Sequence, residues 1–219
     1  KYYIFAAAEQ GWRFAEFQTD CIGGANYNIS DTFDGWIDLF GWGTGSNPTN
    51  ISGGGETYIF TDWGINQIGN DTPYTWRTLT DKEWHYLRYE RNNAERLIGV
   101  AQINEVNGLI LLPDDWTCPE GVGFQAGFHT ERDDTYYAAY QKISHSDWSK
   151  MEQAGAIFLP AAGSRYVSQT DLVQFYGCYW TASSYNDYSA CIFQFFSNGA
   201  DIDNLNRSMG LSVRLVREL

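Results

Sequence analysis

Trp76-Arg77-Thr78-Leu79-Thr80-Asp81-Lys82-Glu83-Trp84 carries the clearest structural signal in the chain. Thr80 offers a hydroxyl to the first free amides of a helix, and Glu83, three residues on, can return a carboxylate to the Thr80 amide. Trp84 and Leu87 follow at helical spacing, so this reading predicts a helix from Thr80 to roughly Asn92. Outward from it the pattern changes. Gly99-Val100-Ala101-Gln102-Ile103 and Gly108-Leu109-Ile110-Leu111-Leu112 read as strands, with Asn104 to Asn107 as a hairpin connection and Pro113 as the stop. A second helix is expected from about Ser146 to Gln153, capped by Ser144 or Ser146 and ended at Gly155. Ala156-Ile157-Phe158-Leu159-Pro160 reads as a buried strand. From Tyr176 to Arg217 there is strand and turn with no helix signal. The fold class is therefore α+β, with two helices, small antiparallel sheets and much irregular loop structure.

Toward the N-terminal side, Lys1 to Gln18 reads as two strands, Tyr2-Tyr3-Ile4-Phe5 and the alternating Trp12 to Phe17. Gly23 to Thr61 is rich in Gly, Asn, Asp, Ser and Thr, yet includes Trp36, Phe40 and Trp42. So many aromatics make it irregular structure held by buried rings rather than a solvated linker. No low-complexity break divides the 219 residues, so residues 1–219 are read as a single domain.

Aromatic residues make up 17%, with 9 Trp, 15 Tyr and 13 Phe, a composition suited to loop-rich cores and contact surfaces. The formal charge of -13 repels phosphate backbones and anionic headgroups, so neither nucleic acid nor membrane insertion is expected. No apolar run reaches the length of a membrane span, and no signal-peptide pattern follows Lys1.

Cys21, Cys118, Cys178 and Cys191 form no paired motif of the zinc type. They permit three complete pairings, and free thiols are the expected state, although Cys178 and Cys191 could meet across neighbouring strands. Asp31, Asp34 and Asp38, and Asp114 and Asp115, lack the spacing of a calcium loop. His85 is expected on a helix surface and His129 and His145 in loops. Ser183 and Ser184 have no nucleophile-elbow glycines around them. The reading assigns no catalytic residue, metal or cofactor.

Three segments resemble the formylglycine-generating-enzyme branch of the C-type-lectin fold: Trp76 to Trp84, Phe158-Leu159-Pro160-Ala161-Ala162-Gly163-Ser164-Arg165-Tyr166, and Gly177-Cys178-Tyr179-Trp180-Thr181-Ala182-Ser183-Ser184 with Arg207 and Gly210 to Arg217. Gly35 to Gly43 and Leu111 to Trp116 extend the resemblance, which is to gut-bacterial and phage-encoded paralogues. The ending also resembles variable proteins of diversity-generating retroelements. That resemblance implies a frame of Gly177, Trp180, Ser183, Ser184, Arg207, Gly210, Val213, Arg214 and Arg217 around replaceable positions within 177–217. It implies ligand binding at a phage tail, or at a bacterial cell surface as an adhesin or secreted protein. The partner would be a host-cell surface protein or glycan. A non-diversified structural or surface-lipoprotein paralogue, or an oxidase using Cys178 and Cys191, are the alternatives.

Strand alternation supports that division of labour. In Ala190 to Ser197, Cys191, Phe193 and Phe195 lie on one face and Ile192, Gln194 and Phe196 on the other. The second face has no evident packing logic and is assigned to contact. The proposed contact set is Tyr179, Tyr185, Asn186, Asp187, Tyr188, Ile192, Gln194, Phe196, Asp201, Asp203, Asn204, Leu205, Asn206, Ser208 and Met209. Its aromatics would anchor a ligand and its polar groups select among ligands.

Overall fold

The computed structural model describes residues 39–45, 59–128, 140–166 and 169–218. The readings of Lys1 to Gln18, of Gly23 to Asp38 with Cys21, Asp31, Asp34 and Asp38, and of His129 lie outside the described residues. Within them the fold is α+β, with two α-helices and four small sheets.

The Thr80 signal holds. Strand β1 (Arg77–Thr78) leads into helix α1 (Asp81–His85), and the capping box is complete in both directions. Glu83 also takes both arms of the Arg77 guanidinium, at 2.9 and 2.6 Å. That bond, together with the Thr80 amide and hydroxyl, holds the Glu83 carboxyl down at about 2, from an ordinary 4.5. A carboxyl depressed on folding contributes stability that is whole above its unfolded value and lost as pH falls through its folded one. The stability gap between the wild type and Glu83→Gln is therefore expected at neutral pH and should close between about 4.5 and about 2. Urea midpoints at pH 7 and pH 3, measured on both proteins, test this; a gap that does not change with pH would contradict it.

The helix is shorter than its periodicity predicts. It gives way to a π-helical turn, Tyr86–Glu90, and Arg91 leaves in extended conformation. Tertiary bonding explains the early exit. The buried Arg91 guanidinium donates to the carbonyls of Leu87, Leu97 and Leu112 at 2.8–3.0 Å, tying the helix end to the next sheet.

That sheet has the order β4-β2-β3-β5: β2 (Ile98–Ile103), β3 (Val106–Leu111), β4 (Gln141–Ile143) and β5 (Ile157–Pro160). Strands β2 and β3 form the expected hairpin. Its two-residue turn, Asn104-Glu105, has both φ angles positive, matching the right-handed twist of the strands. β4 corrects the expectation of purely antiparallel sheets, since it runs parallel to β2. Helix α2 (His145–Gln153) is capped by Ser144 and stopped at Gly155, which has φ 93°. His145 therefore opens a helix instead of lying in a loop.

The sheet is apolar on both faces. Ala101, Ile103, Ile110 and Phe158 pack under Trp148 and Met151 of α2. Ile98, Val100, Leu109 and Leu159 pack against Trp84, Tyr179, Phe193 and Phe195. The last three belong to a second sheet, β10-β9-β8, made of β8 (Gly177–Ser184), β9 (Ser189–Phe196) and β10 (Gly199–Asn206). Its outer face is covered in part by the segment Leu39 to Gly45, through Trp42. The expected irregular structure pinned by aromatics is seen there: Leu39, Phe40 and Trp42 are buried without a strand of their own. Two two-stranded pairs complete the described fold: β6 (Ser164–Tyr166) with β7 (Gln169–Asp171), and β1 with β11 (Leu215–Val216).

Candidate recognition surface

The sheet β10-β9-β8 is held by closely fitted residues. A Cβ on Gly177 would overlap the Phe195 ring, and one on Gly210 would meet the Arg165 guanidinium. Arg165 is buried and donates to the Leu39 carbonyl at 2.9 Å. Trp180 donates its indole N–H to Phe40 at 2.6 Å, and Trp42 returns one to Thr181 at 2.8 Å. Buried indoles need such partners, and here they lock the covering segment onto the sheet. Ser183 donates to Asp81 at 2.7 Å and accepts from its amide, fastening β8 to the start of α1.

Arg207 fixes the β8–β9 hairpin. Its guanidinium reaches the Ser184 hydroxyl and the carbonyls of Asn186 and Ser189, and it lies 4.5 Å over the Trp42 ring. Its own amide donates to Tyr188 at 2.9 Å. Hairpin tip and covering segment thus meet at one cation.

The candidate contact residues distribute unevenly over this frame. Tyr185 and Tyr188 stand out of the hairpin at 60% and 63% exposure, with Asp187 exposed between them. Asn186 is exposed too, but its side-chain oxygen accepts the amides of Tyr188 and Ser189 and closes the turn. Asn206 does the same for the amide and hydroxyl of Ser208. Both are turn-builders first.

Cross-strand register places Gln194, Phe196, Asp201, Asp203 and Leu205 on the face of β9 and β10 that carries Ile192. Asp201 and Asp203 are exposed, while Gln194, Phe196 and Leu205 are half-buried. Gln194 donates to Asp203 at 3.1 Å and accepts from the Tyr176 hydroxyl at 2.8 Å. The Tyr176 and Phe196 rings stack with centroids 4.7 Å apart. Asn204, opposite Cys191, points to the other face, and Ser208 and Met209 are half-buried in the turn after β10.

Two members of the set are corrected. Ile192 is 0% exposed, enclosed with Trp42, Trp180 and Leu211. Tyr179 is 3% exposed and donates its hydroxyl to Pro160 at 2.8 Å inside the core between the sheets. Alternation assigned Ile192 to its face correctly, but the cover over that face comes from residues 39–45, about 150 positions away in sequence. The surviving set falls into two groups, one at the hairpin tip and one at the far end of the sheet. Ser189 and Gln194 mark them, about 17 Å apart along β9 at strand rise.

Tyr176 was missed in sequence. It precedes Gly177, and extending the two-residue period back by one position would have placed it with Cys178 and Trp180 on the outer face. Tyr89, the other omission, comes from the π-helical turn and donates to Asp201 at 3.0 Å. No local pattern announces that contact.

Cys178 opposes Gln194 and Cys191 opposes Asn204, so their side chains take opposite faces and do not meet. Cys118, Cys178 and Cys191 are free thiols. Burial pushes the Cys178 thiol up to about 12 and raises that of Cys191. His85 is exposed on α1, as expected, against Glu90 at 3.1 Å. Among the described residues no three His, Cys, Asp or Glu side chains group as metal ligands, and Asp114 lies 3.3 Å from Arg91. No helix among them is long and apolar enough to cross a membrane.

Residues 132–216 match the family model described as a domain of unknown function, DUF8237. That span takes in α2, the whole of the sheet β10-β9-β8, and Arg207. No curated protein and no solved structure matches the chain.

Proposed function

We propose that this chain is a ligand-binding module with a C-type-lectin-like fold of the formylglycine-generating-enzyme type. Its binding surface lies within 177–217, as in a diversified phage-tail protein or bacterial surface adhesin. The observation that carries the reading is the contrast at the β8–β9 hairpin. Arg207, Trp42 and Trp180 are 6%, 3% and 2% exposed, while Tyr185 and Tyr188, which they position, are more than half exposed. A protein gains nothing in stability from two free tyrosines on a stiff tip, whereas a binder gains large contact area at small rotamer cost. The far group adds a stacked aromatic pair beside two carboxylates. The partner is a host-cell surface protein or glycan. An oxidase would need a thiolate within reach of substrate, and the buried Cys178, with its raised pKa, is poorly placed to supply one.

The test separates surface from core. Tyr185, Asp187, Tyr188, Gln194, Phe196, Asp201 and Asp203 are randomised together in a displayed library, and the clones are selected against an arbitrary protein such as lysozyme. Most clones should keep the wild-type melting temperature to within about 5 °C, the size of a roughly 2 kcal/mol change in a chain of this length, and binders should emerge. General unfolding would overturn the assignment of these positions. Sequencing the flanking DNA tests diversification: a template repeat differing at adenines, with a reverse transcriptase gene, is the expected finding.

A further inference from the structure

Strand β10 is an outer strand of the sheet β10-β9-β8, and among the described residues no strand pairs with its second edge. Antiparallel pairing turns the backbone groups of successive residues to opposite edges. Arg207 donates its amide to Tyr188 in the same register that pairs Leu205 with Ala190 and Asp203 with Ile192. The amides and carbonyls of Ala200, Ile202 and Asn204 therefore face the free edge. Arg88 and Tyr89 occupy the Ala200 carbonyl, at 3.1 and 3.2 Å. The Ile202 and Asn204 amides rest on the carboxylates of Asp201 and Asp203, at 2.7 and 2.8 Å. Both carboxylates are exposed, so each can turn into water and release its amide, although Tyr89 and Gln194 also bond to them. The Ile202 and Asn204 carbonyls have no donor among the described residues.

Charge decides what fits this edge. A second copy laid antiparallel, centred on Ile202 or Asp203, would set Asp201 or Asp203 against an aspartate of the other copy, and like charges directly opposite are destabilising. A strand with Lys or Arg at alternate positions meets the same carboxylates favourably. On the opposite face of β10, beside Ile202, a recess of about 400 Å³ is lined by Asp81, Lys82, His85 and Glu90. Glu90 faces His85 there at 3.1 Å, and Asp81 accepts from Ser183, so the recess is polar and suits small polar side chains. In strand addition the main chain supplies affinity and the alternating side chains supply specificity. We propose that the free edge of β10 binds an extended basic peptide, its main chain on Ile202 and Asn204 and its cations on Asp201 and Asp203. This goes beyond the side-chain surface proposed above: it shares the two aspartates but uses the β10 backbone and neither hairpin tyrosine.

Fluorescence anisotropy with a labelled peptide of alternating Lys and Thr, and with its Glu–Thr counterpart, tests the site at low ionic strength. The Lys peptide should bind about tenfold more tightly than the Glu peptide, and the double variant Asp201→Lys, Asp203→Lys should reverse that order. N-methylating one alternate set of peptide amides should abolish binding, and methylating the other set should not, because only one set faces the edge. Asn204→Pro removes an outward amide without touching the β9 ladder and should abolish binding, whereas Asn204→Ala should keep it. Should Asn204→Pro fail to fold, the methylated peptides still decide. The double variant Tyr185→Ala, Tyr188→Ala should bind the peptide as the wild type does; loss there would place the peptide on the hairpin surface instead. That result, absence of binding, equal binding of the Glu peptide, tolerance of both methylation patterns, or a wild-type dimer that Asn204→Pro dissolves would each overturn the proposal.

Discussion

Trp84→Ala is expected to cost about 3–5 kcal/mol, the range for deleting a buried aromatic, and to leave little folded protein at 37 °C if the whole fold has the usual margin of about 5–15 kcal/mol. Trp84 is 1% exposed and stacks on Phe193, with centroids 4.4 Å apart and planes within 4°. It lies in the same buried cluster as Ile98, Val100, Leu109 and Leu159 of the other sheet. Its loss opens a void that three elements would have to collapse into at once, and close-packed sheets do not move that far. Trp84→Phe keeps a ring in the stack and should lose less than half as much. Urea denaturation followed by circular dichroism measures both. A cost below about 1 kcal/mol for alanine would mean that the two sheets do not share a core.

Arg207→Ala should cost about 3 kcal/mol, because charge-assisted bonds to three acceptors disappear together. The Asn186 and Ser189 carbonyls and the Ser184 hydroxyl lose their donor, and Trp42 loses the cation over its ring. The sharper effect is local. Hydrogen exchange at Tyr188 and Ser189 should rise toward that of an open hairpin, while the β2–β3 hairpin stays protected. Arg207→Lys retains the charge but not the planar fork, and should restore only part of the protection. If exchange at the tip is unchanged in Arg207→Ala, the tip does not depend on the frame, and the stiffness on which the recognition reading relies is lost.

Much of the local structure was legible in sequence. The Thr80–Glu83 capping box and the Gly155 stop appeared where their residues predict them, the cap read at Ser144 or Ser146 fell on Ser144, and the connection read at Asn104 to Asn107 tightened to the turn Asn104-Glu105. The alternation Cys191/Phe193/Phe195 against Ile192/Gln194/Phe196 also held residue by residue. What failed was the inference from face to exposure. An apolar residue on the outer side of a strand is free only if nothing distant covers it, and Trp42 covers Ile192. Tyr179 failed for the same reason, since its ring fills space between two sheets whose pairing no local pattern encodes. Asn186 and Asn206 were legible as polar but not as turn-builders, because an amide side chain offers the same atoms to its own backbone and to a ligand.

The sequence alone determined the starts of the two helices and their caps, the β2–β3 hairpin, and which side chains share a face of β9. These follow from bonding between residues a few positions apart and from fixed backbone periods. Only the tertiary structure decided which face is sealed, that Arg207 joins the hairpin to residue 42, and that an apolar cleft gathers Arg214 and Glu152 from separate stretches of the chain. Burial is a property of what packs above a residue, and here the covering residues are up to about 150 positions away in the chain.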